Sequence, residues 1–88
     1  MEIIRCASAG TMESSDAYVE IEPCEKGIQI DLESVVAKQF GDEIRTAVMD
    51  VLSQNAVKNA RIRLIDRGAL ECVIRARVET AVVRGGKA

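Results

Sequence analysis

The sequence predicts an α+β fold: one small domain in the order β-β-α-β-α, with two helices packed on one face of a small sheet. Two observations carry that prediction. Apolar residues alternate with polar ones at period two over residues 18–22, 28–32 and 60–65. They recur instead at three- and four-residue intervals over 36–52 and again over 70–82. The first spacing turns one face of a strand toward a core, and the second draws a buried stripe along a helix.

In Tyr18-Val19-Glu20-Ile21-Glu22, Val19 and Ile21 share one face, and Ile28-Gln29-Ile30-Asp31-Leu32 alternates in the same way. The residues between, Pro23 to Gly27, form a loop of hairpin length, so the two runs read as a β-hairpin. Val36, Phe40, Ile44, Ala47, Val48, Val51 and Leu52 then mark a helix with Ser34 as N-cap and Lys38 to Gln54 as its body. Gly41 lies inside it at a cost of about 1 kcal/mol relative to Ala, which predicts a bend there or a late start at Asp42. A third strand covers Ala60 to Ile65. A second helix runs from about Ala69 to Arg84, with Leu70, Val73, Ile74, Val78, Ala81 and Val82 inward. Asp66 is placed to cap it and Gly85-Gly86 to end it. Residues 1–8 give a weak strand signal, and residues 1–16 as a whole read as a flexible segment ahead of the first firm strand.

The 88 residues suffice for one domain, residues 1–88, burying about 60–65% of the unfolded surface. Tyr18 and Phe40 are the only aromatics, so the core is built from Val, Ile, Leu and Ala. No apolar run approaches the ~18 residues of a membrane span. The start, Met1-Glu2-Ile3-Ile4-Arg5, lacks the regions of a signal peptide, which points to the cytoplasm. Cys6, Cys24 and Cys72 are odd in number and lack metal-ligand spacing, and with no histidine in the chain neither a disulfide framework nor a metal site is expected. Cys72 falls on the second helix and is expected in its core; Cys24 falls in a loop.

The net charge of −2 conceals a polarity. Residues 1–44 hold ten acids against three bases, and residues 45–88 hold four acids against nine bases. Two readings stand: intramolecular pairing on a solvated surface, or an acidic half that steers the domain toward basic partners.

The segment Ala9-Gly10-Thr11-Met12-Glu13-Ser14-Ser15-Asp16 carries small, hydroxyl and turn-forming residues with carboxylates on both sides of two serines. Without histidine there is no Ser–His pair to activate a hydroxyl for attack, so these serines suit modification by another enzyme or a plain turn. Physics alone does not choose between Ser14 and Ser15. This octet resembles the prosthetic-group site of the acyl carrier subunit, the gamma chain, of citrate lyase. So do Lys38-Gln39-Phe40-Gly41-Asp42-Glu43-Ile44-Arg45, Asp50-Val51-Leu52, Gly68-Ala69-Leu70-Glu71-Cys72 and Ile74-Arg75-Ala76-Arg77, in family order and spacing. Met12 departs from the pattern, where Leu is expected.

The resemblance implies that Ser14 holds a phosphodiester to 2'-(5''-phosphoribosyl)-3'-dephospho-coenzyme A, whose thiol carries acetyl as a thioester. It implies a non-catalytic subunit serving the alpha and beta subunits of citrate lyase. One partner would exchange acetyl for citrate, and the other would cleave the citryl group to oxaloacetate. A prosthetic-group transferase and an acetylating ligase would be transient partners, with Glu13 and Asp16 either positioning the transferase or its metal or keeping the segment soluble. The acyl carrier of malonate decarboxylase is the nearest alternative. Ordinary acyl carriers are helical bundles whose serine follows an aspartate and opens the second helix. Asp31-Leu32-Glu33-Ser34 has a distant similarity to that site, and capping accounts for Ser34. A nucleic-acid module using Arg61, Arg63, Arg67, Arg75 and Arg77 is disfavoured by the near absence of stacking residues. An adaptor without a covalent group is the remaining reading.

Overall fold

A computed structural model describes residues 1–87, the Ala37 side chain excepted. The strand formed late in the chain occupies the middle of its sheet. The elements run β1 (Glu2–Ile3), β2 (Ala7–Gly10), β3 (Ala17–Glu22), β4 (Ile28–Ser34), α1 (Ala37–Gln54), β5 (Ala60–Asp66), α2 (Glu71–Gly85) and β6 (Gly86–Lys87). Four strands make the main sheet in the order β2-β3-β5-β4, and β1 pairs with β6 as a separate two-stranded ribbon. The α+β class and the order of the larger elements follow the sequence reading.

The expected hairpin does not form. β3 and β4 are not neighbours, because β5 inserts between them, antiparallel to β3 and parallel to β4. The reason lies in β5, whose Ala60, Ile62 and Leu64 are fully buried and therefore need a strand on each side. The five residues 23–27 are long enough to cross the ~10 Å of two strand spacings. A hairpin and a split pair thus share one sequence signature here.

On one face of the sheet Val19, Ile21, Ile62 and Leu64 join Ile44, Val48, Val51 and Leu52 of α1 and Ile74, Val78, Ala81 and Val82 of α2 in a single core. α2 lies over β2 and β3, and α1 lies over β4. Each fully buried Ile, Leu or Val here contributes about 1.5–3 kcal/mol relative to exposure. The other face carries the polar half of each alternation. There Glu20 stands opposite Arg63, and Glu22 opposite Arg61.

α1 is helical throughout Ala37–Gln54, with no late start at Asp42; Gly41 is buried within it. Phe40 is 45% exposed rather than inward, since continuous burial begins only at Gly41 and Ile44. Ser34 is the last residue of β4, not an N-cap, although its Oγ accepts from Val36 N at 3.1 Å. Leu70 is 71% exposed and stands at the N-cap of α2, outside the helix it was expected to fill. Cys72 is also exposed. It lies two residues before Ile74, about 200° around the helix from the buried stripe. Among the described residues no helix is long and apolar enough to cross a membrane, and no cluster of three or more potential metal ligands occurs.

Candidate functional site

Residues 11–16 join β2 to β3 and contain both serines of the octet. The reading of residues 1–16 as one free segment is too broad: Ala7–Gly10 pair with β3 from Ala7↔Ile21 to Gly10↔Tyr18. Only the loop beyond Gly10 stands outside the sheet. Gly10 has φ +91°, and a Cβ there would collide with the carbonyl of Ala17, so glycine permits the two arms of the loop to approach.

Within the loop, Asp16 N donates to Glu13 O at 3.2 Å, closing a four-residue turn with Ser14 and Ser15 at its centre. Ser15 has φ +65° while Ser14 does not enter the left-handed region, the pattern of a type II turn. Both serines are exposed. Neither hydroxyl makes a hydrogen bond among the described residues, whereas Thr11, Asp16 and the main chain around them are engaged. Ser15 N donates to Arg67 O at 2.8 Å and Arg67 N donates to Asp16 O at 2.9 Å, two main-chain bonds that seat the loop on the β5–α2 connection.

Asp16 is the anchor of this arrangement. Thr11 Oγ1 donates to its Oδ2 at 2.6 Å, and Ala17 N donates to its Oδ1 at 2.7 Å. Arg77, on α2, reaches both oxygens at 3.1 Å through Nε and Nη2. These donors favour the charged carboxylate, Thr11 most and Arg77 next, and lower its pKa from 3.8 to about 2. Beside the two roles open to Asp16 from the sequence, the geometry shows a structural one. Its carboxylate is committed inside the chain.

The seat under the loop is itself held by Asp66, which is 1% exposed. Its Oδ1 accepts from Gly68 N at 3.1 Å and Ala69 N at 2.8 Å, and Ser34 Oγ donates to its Oδ2 at 2.8 Å. Asp66 therefore shapes the connection before α2 instead of capping the helix, whose N-cap Leu70 has no side-chain cap. Ser34 is half-buried and its hydroxyl both donates and accepts, unlike the two loop serines. Sequence periodicity offered no sign of Asp66 or Arg77 as supports of the loop. Arg77 acts through a partner 61 positions away, and Asp66 through Ser34, 32 positions away, as well as through its neighbours Gly68 and Ala69.

The charge polarity resolves largely into internal pairs. Arg63 meets Glu20 at 3.2 Å, Arg61 lies 3.5 Å from Glu22 and 3.4 Å from Asp31, and Arg75 meets Asp50 at 3.0 Å. With Arg77 on Asp16, four of the five arginines considered for nucleic acid already face carboxylates. Glu20 and Glu22, two acids of the half that could steer the domain toward partners, have guanidinium neighbours of their own. On the helix side, exposed Phe40 and Leu70 flank a groove of about 210 Å³ that reaches down to Asp66, on the same connection that seats the serine loop.

Comparison with known proteins gives a consistent family. A family model described as ACP: Malonate decarboxylase delta subunit (MdcD) matches residues 4–85. The citrate lyase acyl carrier protein of Escherichia fergusonii is 50% identical over 88 residues, covering 99% of this chain and 91% of the relative. That of Halothermothrix orenii is 48% identical, covering 99% and 93%, and that of Latilactobacillus sakei subsp. sakei 47%, covering 97% and 84%. The fold is similar to a chain in the crystal structure of a Pseudomonas malonate decarboxylase hetero-tetramer in complex with malonate, at TM-score 0.66 and 21% identity, covering 98% of this chain and 93% of that one. With near-complete coverage at about half identity, this chain belongs to the citrate lyase acyl carrier protein family.

Proposed function

We propose that this domain is a covalent carrier in which Ser14 Oγ is joined by a phosphodiester to 2'-(5''-phosphoribosyl)-3'-dephospho-coenzyme A. The observation that carries the reading is the state of the Ser14 turn: an exposed, unbonded hydroxyl at the tip of a loop whose root is tied down through Thr11, Asp16 and the main chain. That chemistry fits the group, since a phosphodiester needs a free alcohol with room around it. Ser15 meets the same conditions, and the family pattern of the octet favours Ser14. Bound there, the group supplies a thiol that carries acyl groups as thioesters.

The residues of the chain hold and present. Asp16, clamped by Thr11 and Arg77, fixes the root of the loop, and Arg67 seats it through the main chain. A rigid root limits the volume the arm explores. It makes delivery to partner sites intramolecular, at an effective concentration on the order of millimolar for a short link. No residue here is assigned an acid or base role.

The partners that fit are the alpha and beta subunits of citrate lyase, with a transferase and a ligase acting transiently, all in the cytoplasm. Malonate decarboxylase is the second reading, favoured by the family model and the fold neighbour; the relatives at about half identity favour citrate. Turnover separates them. The purified, modified and acetylated chain alone is expected to release no oxaloacetate from citrate, and addition of both large citrate lyase subunits is expected to restore release. Oxaloacetate from the chain alone defeats the carrier reading, and turnover of malonate but not citrate in the matching complexes defeats the choice of acid.

A further inference from the structure

We propose that the outer edge of β4 is a docking site for an extended strand of another protein, one alternating aliphatic with basic residues and pairing with β4 through main-chain hydrogen bonds. β4 ends the main sheet. Its ladder to β5 is bracketed by Ala60 N donating to Gly27 O at 3.0 Å and Val35 N donating to Asp66 O at 3.4 Å. In a parallel ladder the bonding residues alternate, so Gln29, Asp31 and Glu33 turn their main chains to β5. The N–H and C=O groups of Ile28, Ile30 and Leu32 then point out of the sheet, and they meet no partner among the described residues.

The two edges of the sheet are treated differently. β2 is four residues long, and Arg84 Nη1 covers it by donating to Ser8 O at 2.9 Å. β4 is seven residues long and carries no proline, lysine or arginine, the usual guards of an exposed edge. Ile28, Ile30 and Leu32 pack against the core yet stay half-buried, because among the described residues nothing flanks them on the outer side. An added strand would cover those flanks with its own aliphatic face.

Charge selects the occupant. On the open face β4 presents Asp31 and Glu33. Asp31 shares Arg61 with Glu22, and Glu33 makes no ion pair among the described residues. A second copy of this chain pairing edge to edge about Asp31 or Leu32 would set these acids against one another, which is unfavourable across strands. A basic residue of a partner strand complements them. On the helix face the Arg45 guanidinium and Leu32 Cδ2 both lie within 4 Å of where a Gly41 Cβ would stand. Cations are therefore accepted on the open face only, and the partner must alternate. This inference is independent of which hydroxyl carries the prosthetic group.

The test uses the whole ¹⁵N-labelled chain and two end-capped heptapeptides, Lys-Val-Lys-Ile-Lys-Val-Lys and its counterpart with Glu in place of Lys. The basic peptide is expected to bind saturably, shifting the amides of Ile28, Ile30 and Leu32 and slowing their exchange, with the acidic peptide weaker by on the order of tenfold. Ile30→Pro removes an outward N–H without touching the ladder to β5 and is expected to abolish binding. Should that variant unfold, Glu33→Lys carries the test: it breaks no ion pair and is expected to weaken the basic peptide severalfold with the remaining spectrum unchanged. Absence of binding, equal binding of both peptides, or shifts confined to other strands overturns the proposal. So does a free chain that dimerises with these three amides already protected.

Discussion

Arg77 and Asp16, 61 positions apart, form a two-pronged contact in which Nε and Nη2 each donate to a separate carboxylate oxygen at 3.1 Å. Through it α2 holds the root of the loop that displays Ser14. Lysine cannot reproduce such a fork. Arg77→Lys is therefore expected to loosen the loop while leaving global stability nearly unchanged, because the guanidinium is 40% exposed. Hydrogen exchange reads this directly. The Ser15 amide should exchange severalfold faster in the variant. Unchanged exchange would mean that the main-chain bonds to Arg67 suffice.

The same carboxylate gives a pH dependence. With its pKa lowered from 3.8 to about 2, Asp16 contributes stability that is fully present above about pH 4. That contribution is lost as the pH falls toward 2. A carbon-detected titration of the Asp16 carboxyl should show the low midpoint, and Thr11→Val should raise it, since Thr11 is the largest cause of the shift. A midpoint near 4 in the unaltered chain contradicts the described hydrogen bonds.

Asp66→Ala removes the acceptor for Gly68 N, Ala69 N and the Ser34 hydroxyl at a buried position. Leaving these donors unpaired is expected to cost about 2–3 kcal/mol of unfolding free energy by denaturant titration. The β5–α2 connection should also lose its shape, so Ser15 and Asp16 amide shifts should move although neither residue touches Asp66's carboxylate. A change below ~0.5 kcal/mol would remove Asp66 from the account.

Gly10→Ala places a methyl group against the Ala17 carbonyl at a residue with φ +91°. Both strain and collision act, and a loss of about 2 kcal/mol or more is expected from thermal or chemical unfolding. A neutral substitution would show that the loop mouth is wider than described.

Much of this was legible in the sequence because period two and period 3.6 are local signals. Val19, Ile21, Ile62 and Leu64 stand buried on one sheet face as alternation predicts, and Ile44, Val48, Val78 and Val82 stand on the helix stripes. Strand order was not legible. The loop of residues 23–27 serves a hairpin or a strand-skipping connection equally, and only the burial of Ala60, Ile62 and Leu64, which gives β5 a strand on each side, decides it. Phe40, Leu70 and Cys72 lie at helix ends, where the apolar pattern persists after the core has stopped. The exposed turn at Ser14 was legible as a turn, but its supports were not. Asp66's bonds to Gly68 N and Ala69 N are local, but Arg77 finds Asp16 and Asp66 finds Ser34 through tertiary packing that no spacing rule encodes.

The central claim is that Ser14 Oγ carries the prosthetic group. Intact mass and tandem mass spectrometry of the chain purified from its native host test it most directly, because a recombinant chain made without the transferase is unmodified under any reading. The account predicts a single phosphodiester-linked adduct whose fragments localise to Ser14, absent from Ser14→Ala. Modification at Ser15 or Ser34, or an unmodified chain in the active native complex, contradicts it.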